Sequence, residues 1–399
     1  MRRAAMNVTV LALAAAALAA GPAGVARADD AKAVELDVVL PVTGMAAFLG
    51  KSEQQGMQLV EKQVNAAGGI KGHLLHLVFQ DDQSNPQVAV QLTSAILANR
   101  PPIIMGSALV AMCNAMAPLV KNGPVMYCLS PGLHPAPGSW AFSCSLSTAD
   151  LAQAAIRYFR ARGWTRLAVM TSTDASGQDA DRGIDGVLAM PEFKDVTIVA
   201  REHFNTADVS VSAQIENIKA ARPQAFIAWS TGTPVATIFK GITEAGLDIP
   251  VATTDGNMTW PQMTRYADFL PKQLYFPSGV WVAHDSRVAL PAAVKAAQDR
   301  FYAAYAAAGV KPDVASAHGW DPTMIVADAF KALGPGASAA QLHDYLEHLD
   351  GYAGVNGVYD FRRVPQRGLD VHNVVVSRWD GAAKGWTPVS EPAGLPLKD

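Results

Sequence analysis

Charge is scarce in this chain. Only 17% of its 399 residues are Asp, Glu, Lys or Arg, and 32 basic residues stand against 35 acidic ones, for a net charge of -3. Ordinary globular chains carry about 25% charged residues. With no basic excess, the electrostatic footprint of a nucleic-acid binder is missing. Half of the residues are hydrophobic, the reverse of the composition that keeps a chain disordered. Cysteine is scarcer still: Cys113, Cys128 and Cys144 are too few for a disulfide scaffold or a multi-zinc module. Catalytic and cofactor motifs are missing too. No G-x-G-x-x-G follows the first apolar run, and there is no P-loop and no G-x-S-x-G elbow. His73 and His76, at odd separation on a strand, face opposite sides and make no metal pair. His343 and Glu347 share a helix face without a third ligand, which reads as a solvated face. Nothing assembles a nucleophile, a base and an orienter, so neither an enzyme, a cofactor nor a metal site is expected.

What is present begins with a leader. Arg2 and Arg3 precede an apolar run from Val8 to Ala20, and Ala26-Arg27-Ala28 supplies small residues before Asp29. This pattern marks a secretory signal peptide over residues 1–28. The apolar core is too short for the roughly 20 residues that span a bilayer. Cleavage after Ala28 removes Arg2, Arg3 and Arg27, so the net charge moves from -3 to -6. The mature product is expected in the periplasm, an oxidising compartment.

The rest alternates short apolar runs with amphipathic segments. Strands are expected over 35–41, 74–79, 102–105 and 125–129, with helices over 52–66, 85–98 and 108–121 between them. This β-α rhythm implies a parallel sheet covered by helices. The rhythm restarts with a helix over 148–161, strands over 166–171, 196–200, 225–229 and 251–254, and helices over 183–189, 210–221 and 235–245. Helices follow over 289–307, 317–332 and 338–348, then a strand pair, 357–361 with 371–378, and a weakly ordered tail from Pro388. The fold class is α/β, with two similar lobes.

Leu40–Gly72 reads LPVTGMAAFLGKSEQQGMQLVEKQVNAAGGIKG, and Leu75–Gln91 reads LHLVFQDDQSNPQVAVQ. With the D-x-x-G-Q turn ending at Gln178 and Asp208-Val209 ahead of Ala213-Gln214-Ile215, these stretches resemble the periplasmic leucine/isoleucine/valine-binding proteins. The likeness runs from about Glu35 to Asp380. It implies two Rossmann-like lobes with parallel sheets, joined by a three-segment hinge around a ligand cleft. Lobe 1 would hold 30–146 plus 279–355, and lobe 2 would hold 147–278 plus 356–399. The implied function is a solute receptor of an ABC importer, a monomer that captures a small carboxylate such as an amino acid and delivers it to a membrane permease. A sensor input on the same fold is the second function weighed. No transmembrane or signalling domain follows the lobes, which favours transport. An exported hydrolase is the third, without a triad or metal set to support it.

Strand carboxyl ends and helix amino termini face the cleft in such folds, and helix amino termini suit carboxylates. By resemblance, Ser107, Val110 and Ala111 meet a ligand carboxylate, and Gly132 and His134 approach its polar head. Asp255 matches the acid that pairs with an ammonium group, and Trp229–Gly232 forms the other second-lobe contact. Each has a plainer reading: Ser107 as a helix cap, His134 as a loop residue, Trp229 as lobe core, Asp255 as a turn residue. Leucine-type binders carry aromatics at three cleft positions that here are Leu49, Ser176 and Gly232. This departure points to a bulkier ligand, such as an aromatic acid or amide. Cys113, early in a helix, and Cys128, at a strand end, lie on one side of the sheet, where a bridge is open to them. Cys144 competes, and Cys113–Cys128 is the preferred pair.

Overall fold

The structure is a computed structural model that describes residues 33–397; the leader lies outside the described residues. The chain starts with β1 (Val34–Leu40), α1 (Ala47–Ala66), β2 (Leu75–Asp81), α2 (Pro86–Ala98), β3 (Ile103–Gly106), α3 (Val110–Met116), β4 (Val125–Cys128) and β5 (Ala141–Ser143). These strands form one all-parallel sheet in the order β2-β1-β3-β4-β5. Every residue of β3 and β4 is buried, as both-faces-covered parallel strands require. Asn85 starts α2 by accepting from the N–H groups of Gln87 and Val88, and Pro86 takes the first position, where its missing N–H costs nothing.

The chain then crosses into α4 (Thr148–Ala161) and runs through β6 (Arg166–Ser172), α5 (Ala175–Leu188), β7 (Thr197–Phe204), α6 (Ser212–Ala220), β8 (Ala225–Trp229), α7 (Val235–Glu244), β9 (Val251–Ala252), α8 (Trp260–Arg265) and β10 (Leu274–Gly279). It returns for α9 (Ala292–Ala307), α10 (Val314–Leu333), α11 (Ala339–Glu347) and a small ribbon, β11 (Tyr352–Ala353) with β12 (Val358–Tyr359). A third crossing leads to β13 (Val374–Asp380) and β14 (Gly385–Pro388). The second sheet has seven strands in the order β14-β13-β10-β9-β8-β6-β7. Two α/β lobes result, linked by three crossings.

The first lobe is closed over by α10, which packs along α1. Glycines allow the approach: a Cβ on Gly56 would lie 2.6 Å from the Ser316 carbonyl oxygen, and one on Gly319 would lie 2.3 Å from that of Glu53. The helix expected over 183–189 starts at Ala175, because the Asp174 side chain accepts from Gly177 N–H and caps it. The helix expected over 108–121 starts at Val110 and tightens to a 3-10 turn over Ala117–Val120, where Pro118 lacks an N–H. β5, β10 and β14 carry no strong sequence signal. In β10, Pro277 lies beyond the end of the two-residue β9, so that side asks nothing of its missing N–H.

Two expectations need correction. The stretches 357–361 and 371–378 do not pair with each other: β12 pairs with β11, while β13 lies antiparallel between β10 and β14. Residues 389–397 do not form a loose tail. The Ser390 hydroxyl accepts from Val376 N–H at 2.8 Å, and Arg157 donates to the Ala393 carbonyl at 2.6 Å. A Cβ on Gly394 would lie 2.1 Å from the Ala154 carbonyl oxygen, so the segment is packed on α4.

Candidate functional site

The first lobe brings strand ends and helix starts to the cleft. β3 ends at Gly106, where a φ of +98° and 1.9 Å between a built Cβ and the Val39 carbonyl oxygen admit only glycine. Ala108–Val110 follow and open α3 without a side-chain cap, so its first N–H groups have no intrahelical partner. β4 leads into Ser130–Gly132. The Cys113–Cys128 disulfide (Cα–Cα 6.0 Å) ties these two segments together, and Cys144 is a buried free thiol. Leu49 of α1 and His318 of α10 complete this face.

The second lobe faces it with Thr148 at the start of α4, Ser176 and Asp179 on α5, Trp229 at the end of β8 and Thr231 after it, and Thr254 and Gly256 after β9. The two faces meet around a narrow space between the lobes. They are shut on each other. Thr233 N–H donates to the Met45 carbonyl at 3.1 Å, Trp260 Nε1 donates to the Pro312 carbonyl at 2.8 Å, and His134 Nε2 lies 2.7 Å from Asp179 Oδ1.

No Lys or Arg lines this space. Its lining holds one carboxylate, Asp179. Burial pushes Asp179 up, but the groups around it, His134 foremost, more than offset this and hold it below the usual carboxylate range. Its Oδ1 also takes Arg182 at 3.1 Å, and its Oδ2 is buried without a hydrogen-bond partner. Asp255 differs. It is fully buried, and desolvation pushes it up to about 7 against the hydrogen bonds from Thr254 and Gly256. Desolvation pushes His318 down to about 4, so it is neutral, with Nε2 3.6 Å from Asp255 Oδ2.

The sequence-derived candidates divide evenly. Leu49, Val110, Gly132, Ser176 and Trp229 line the space. Ser107, Ala111, His134, Gly232 and Asp255 do not. The Ser107 hydroxyl is bound to Asp82 at 2.5 Å. His134 stands half-exposed, paired with Asp179 across the lobes. At Gly232, φ is +88° and a Cβ would lie 2.7 Å from the Met45 carbonyl oxygen. The absent aromatic there makes room for the opposite lobe, not for a bulkier ligand. The Ser176 hydroxyl is likewise engaged, 2.8 Å from that of Thr231.

Comparison with known proteins settles the family. The model for periplasmic binding proteins matches residues 34–385. The chain belongs to the periplasmic binding protein family. A Leu/Ile/Val-binding protein homologue of Brucella melitensis is 32% identical over 101 residues, 25% of this chain and 26% of that protein. The matched stretch thus spans about a quarter of that relative. Two solved structures show the fold. One is a branched-chain amino acid transporter substrate-binding protein from Streptococcus pneumoniae in complex with isoleucine (20% identity, TM-score 0.74, 90% of this chain and 99% of that one). The other is an ABC transporter solute-binding protein from Rhodopseudomonas palustris in complex with benzoate (18% identity, TM-score 0.72, 92% and 98%).

For this periplasmic binding protein, sequence reasoning missed Asp179, Thr148 and His318 among the lining residues. One signal was within reach. Asp174 is a good N-cap, and starting α5 beside it places Asp179 one turn after Ser176 on the same face. Among the described residues, no cluster of three His, Cys, Asp or Glu is placed to hold a metal, and no helix is long and apolar enough to cross a membrane.

Proposed function

We propose that the chain is a periplasmic solute receptor of an ABC importer. It captures a small carboxylate, such as an amino acid, by closing its two lobes, and delivers it to a membrane permease. The observation that carries this reading is the space between the lobes, lined from both and shut by contacts that span them. A receptor of this kind has little to hold its lobes together without ligand beyond a few polar contacts, so ligand binding shifts it toward the closed state. The uncapped start of α3 offers N–H donors to a carboxylate on the first-lobe face. The ligand's side chain meets Leu49, Val110, Pro131 and Trp229.

Calorimetry combined with small-angle scattering tests the reading. An amino acid should bind with micromolar or tighter affinity and reduce the radius of gyration. A chain that binds small carboxylates without compacting is not a closing receptor.

A further inference from the structure

We infer that the concavity between α8 and the β13–β14 hairpin is a second binding site, which takes an aromatic anion. It shares no lining residue with the cleft and does not depend on what the cleft binds.

The concavity holds about 410 Å³. Small-molecule sites run from about 300 to 1,000 Å³, mostly apolar with a few polar groups. Its lining has that composition. Met263 and Pro271 are buried at its base, and Trp260, Leu270 and Trp379 stand half-buried around them. Trp260 opens α8, whose start is fixed by Thr259 accepting from Gln262 N–H, so Met263 lies one turn on along the same face. Trp379 comes from β13 and faces Trp386 of β14 in register. The Trp260 and Trp379 rings are 5.9 Å apart and edge to face, and the Trp386 ring lies 4.4 Å from the first and 5.1 Å from the second. Each indole is held by the other two. The walls are therefore rigid, and a flat ring can pack on them at little entropic cost.

The charged part of the lining has one sign. Lys272, Lys311 and Lys384 are exposed, and no Asp or Glu lines the concavity with them. In a chain with more acidic than basic residues, this is a local reversal. Lys272 is engaged by Asp248 at 2.8 Å, which leaves Lys311 and Lys384 to meet an incoming anion. Lys311 is well placed for it. Its Nζ lies 5.1 Å from the centroid of the Trp260 ring, beside the wall on which a bound ring would pack. Lys311 belongs to the turn between α9 and α10 of the first lobe, and that turn is held at Trp260 by the bond from Trp260 Nε1 to the Pro312 carbonyl. A neutral ring would use the walls and leave the lysines unmatched. A small inorganic anion would meet only exposed ammonium groups, whose pairs contribute little. A flat ring that carries a carboxylate uses both.

Calorimetry with 2-naphthoate, its neutral counterpart 2-naphthamide, and acetate tests the assignment. 2-Naphthoate should bind with a submillimolar Kd, 2-naphthamide roughly tenfold more weakly, and acetate not measurably. Added salt should narrow the gap between acid and amide. Lys311→Glu, at an exposed position, should weaken 2-naphthoate by roughly tenfold or more while holding 2-naphthamide within about threefold, which also reports an intact pocket. Trp379→Ala should weaken both. Trp229→Ala changes the cleft alone and should leave both as they are. Equal binding of acid and amide overturns the inference, as does wild-type affinity for 2-naphthoate in Lys311→Glu and Trp379→Ala. Loss of binding in Trp229→Ala with retention in Lys311→Glu would put the anion in the cleft and overturn it too, and so would the absence of 2-naphthoate binding at millimolar concentration.

Discussion

The two faces of the cleft are built from the same kind of element ends, yet they offer opposite chemistry. The first-lobe face is mostly apolar side chain and backbone, from Leu49, Leu109, Val110, Pro131 and the uncapped start of α3, with Ser130 and His318 as its polar side chains. The second-lobe face is mostly hydroxyl and acid, from Thr148, Ser176, Thr231, Thr254 and Asp179, with Trp229 as its large apolar side chain. One face donates through N–H groups; the other accepts through oxygens. In the proposed receptor, a ligand that needs both faces is held only when they meet around it, so that closure and recognition would be one event.

The sharpest way to break the comparison is to keep the faces apart. Gly232→Tyr restores an aromatic at a position where even a Cβ would lie 2.7 Å from the Met45 carbonyl oxygen. The closed state should be lost, with affinity down by roughly 100-fold or more and no ligand-induced fall in the radius of gyration. A variant that binds and compacts normally would mean that the Met45 approach is not needed for closure.

The first-lobe face can be loosened without touching the second. Cys113→Ser with Cys128→Ser frees α3 from the end of β4, a closed loop spanning 15 residues. Loss of such a bridge costs about 3 kcal/mol, which lowers Tm by roughly 6–12 °C. The effect should appear in thermal unfolding, with ligand affinity reduced far less. An unchanged Tm would show that the bridge does not stabilise this face.

The two second-lobe acids should respond to pH with opposite sign. Asp255 is raised to about 7, above its unfolded value, so the native state binds the extra proton. Its contribution therefore turns unfavourable as pH rises from about 4 to about 7. Asp255→Asn removes that penalty, and its Tm should gain on the wild type by a few degrees between pH 5 and pH 8. Asp179 is lowered, so its contribution is present above the unfolded carboxylate value and fades as pH falls through the folded one. Asp179→Asn should be less stable than the wild type near neutrality, with the gap closing in acid. Parallel pH profiles for the two variants would contradict the assignment of the two acids to different surroundings.

The architecture was readable because parallel strands buried on both faces are short apolar runs, such as IIMG in β3 and AFIAW in β8, bounded by Asn-Pro and Gly-Gly punctuation. β10 escaped because LYFPSG holds a proline and ends in serine and glycine, and its place depends on strands distant in sequence. The site was half readable for a related reason. Leu49, Val110, Gly132, Ser176 and Trp229 sit where elements end, and such ends can be found along the chain. Asp179 and His318 face the cleft only once a helix start and a helix–helix packing are known. Gly232 was misjudged because what fills its space comes from the other lobe, 187 positions earlier at Met45.

The smallest expected effect sits where the faces touch at the rim. His134 reaches from the first lobe to Asp179 Oδ1 at 2.7 Å, but half of its side chain is exposed. Exposed pairs contribute about 0–1 kcal/mol, so His134→Gln should weaken ligand binding by no more than about fivefold. The loss should fall on the dissociation rate, because the contact exists only when the lobes are shut. The wild type should lose part of this advantage in high salt, and the variant should not. A loss of roughly 100-fold would place His134 among the groups that hold the ligand. A salt-independent loss would mean that it acts by packing at the rim and not by charge.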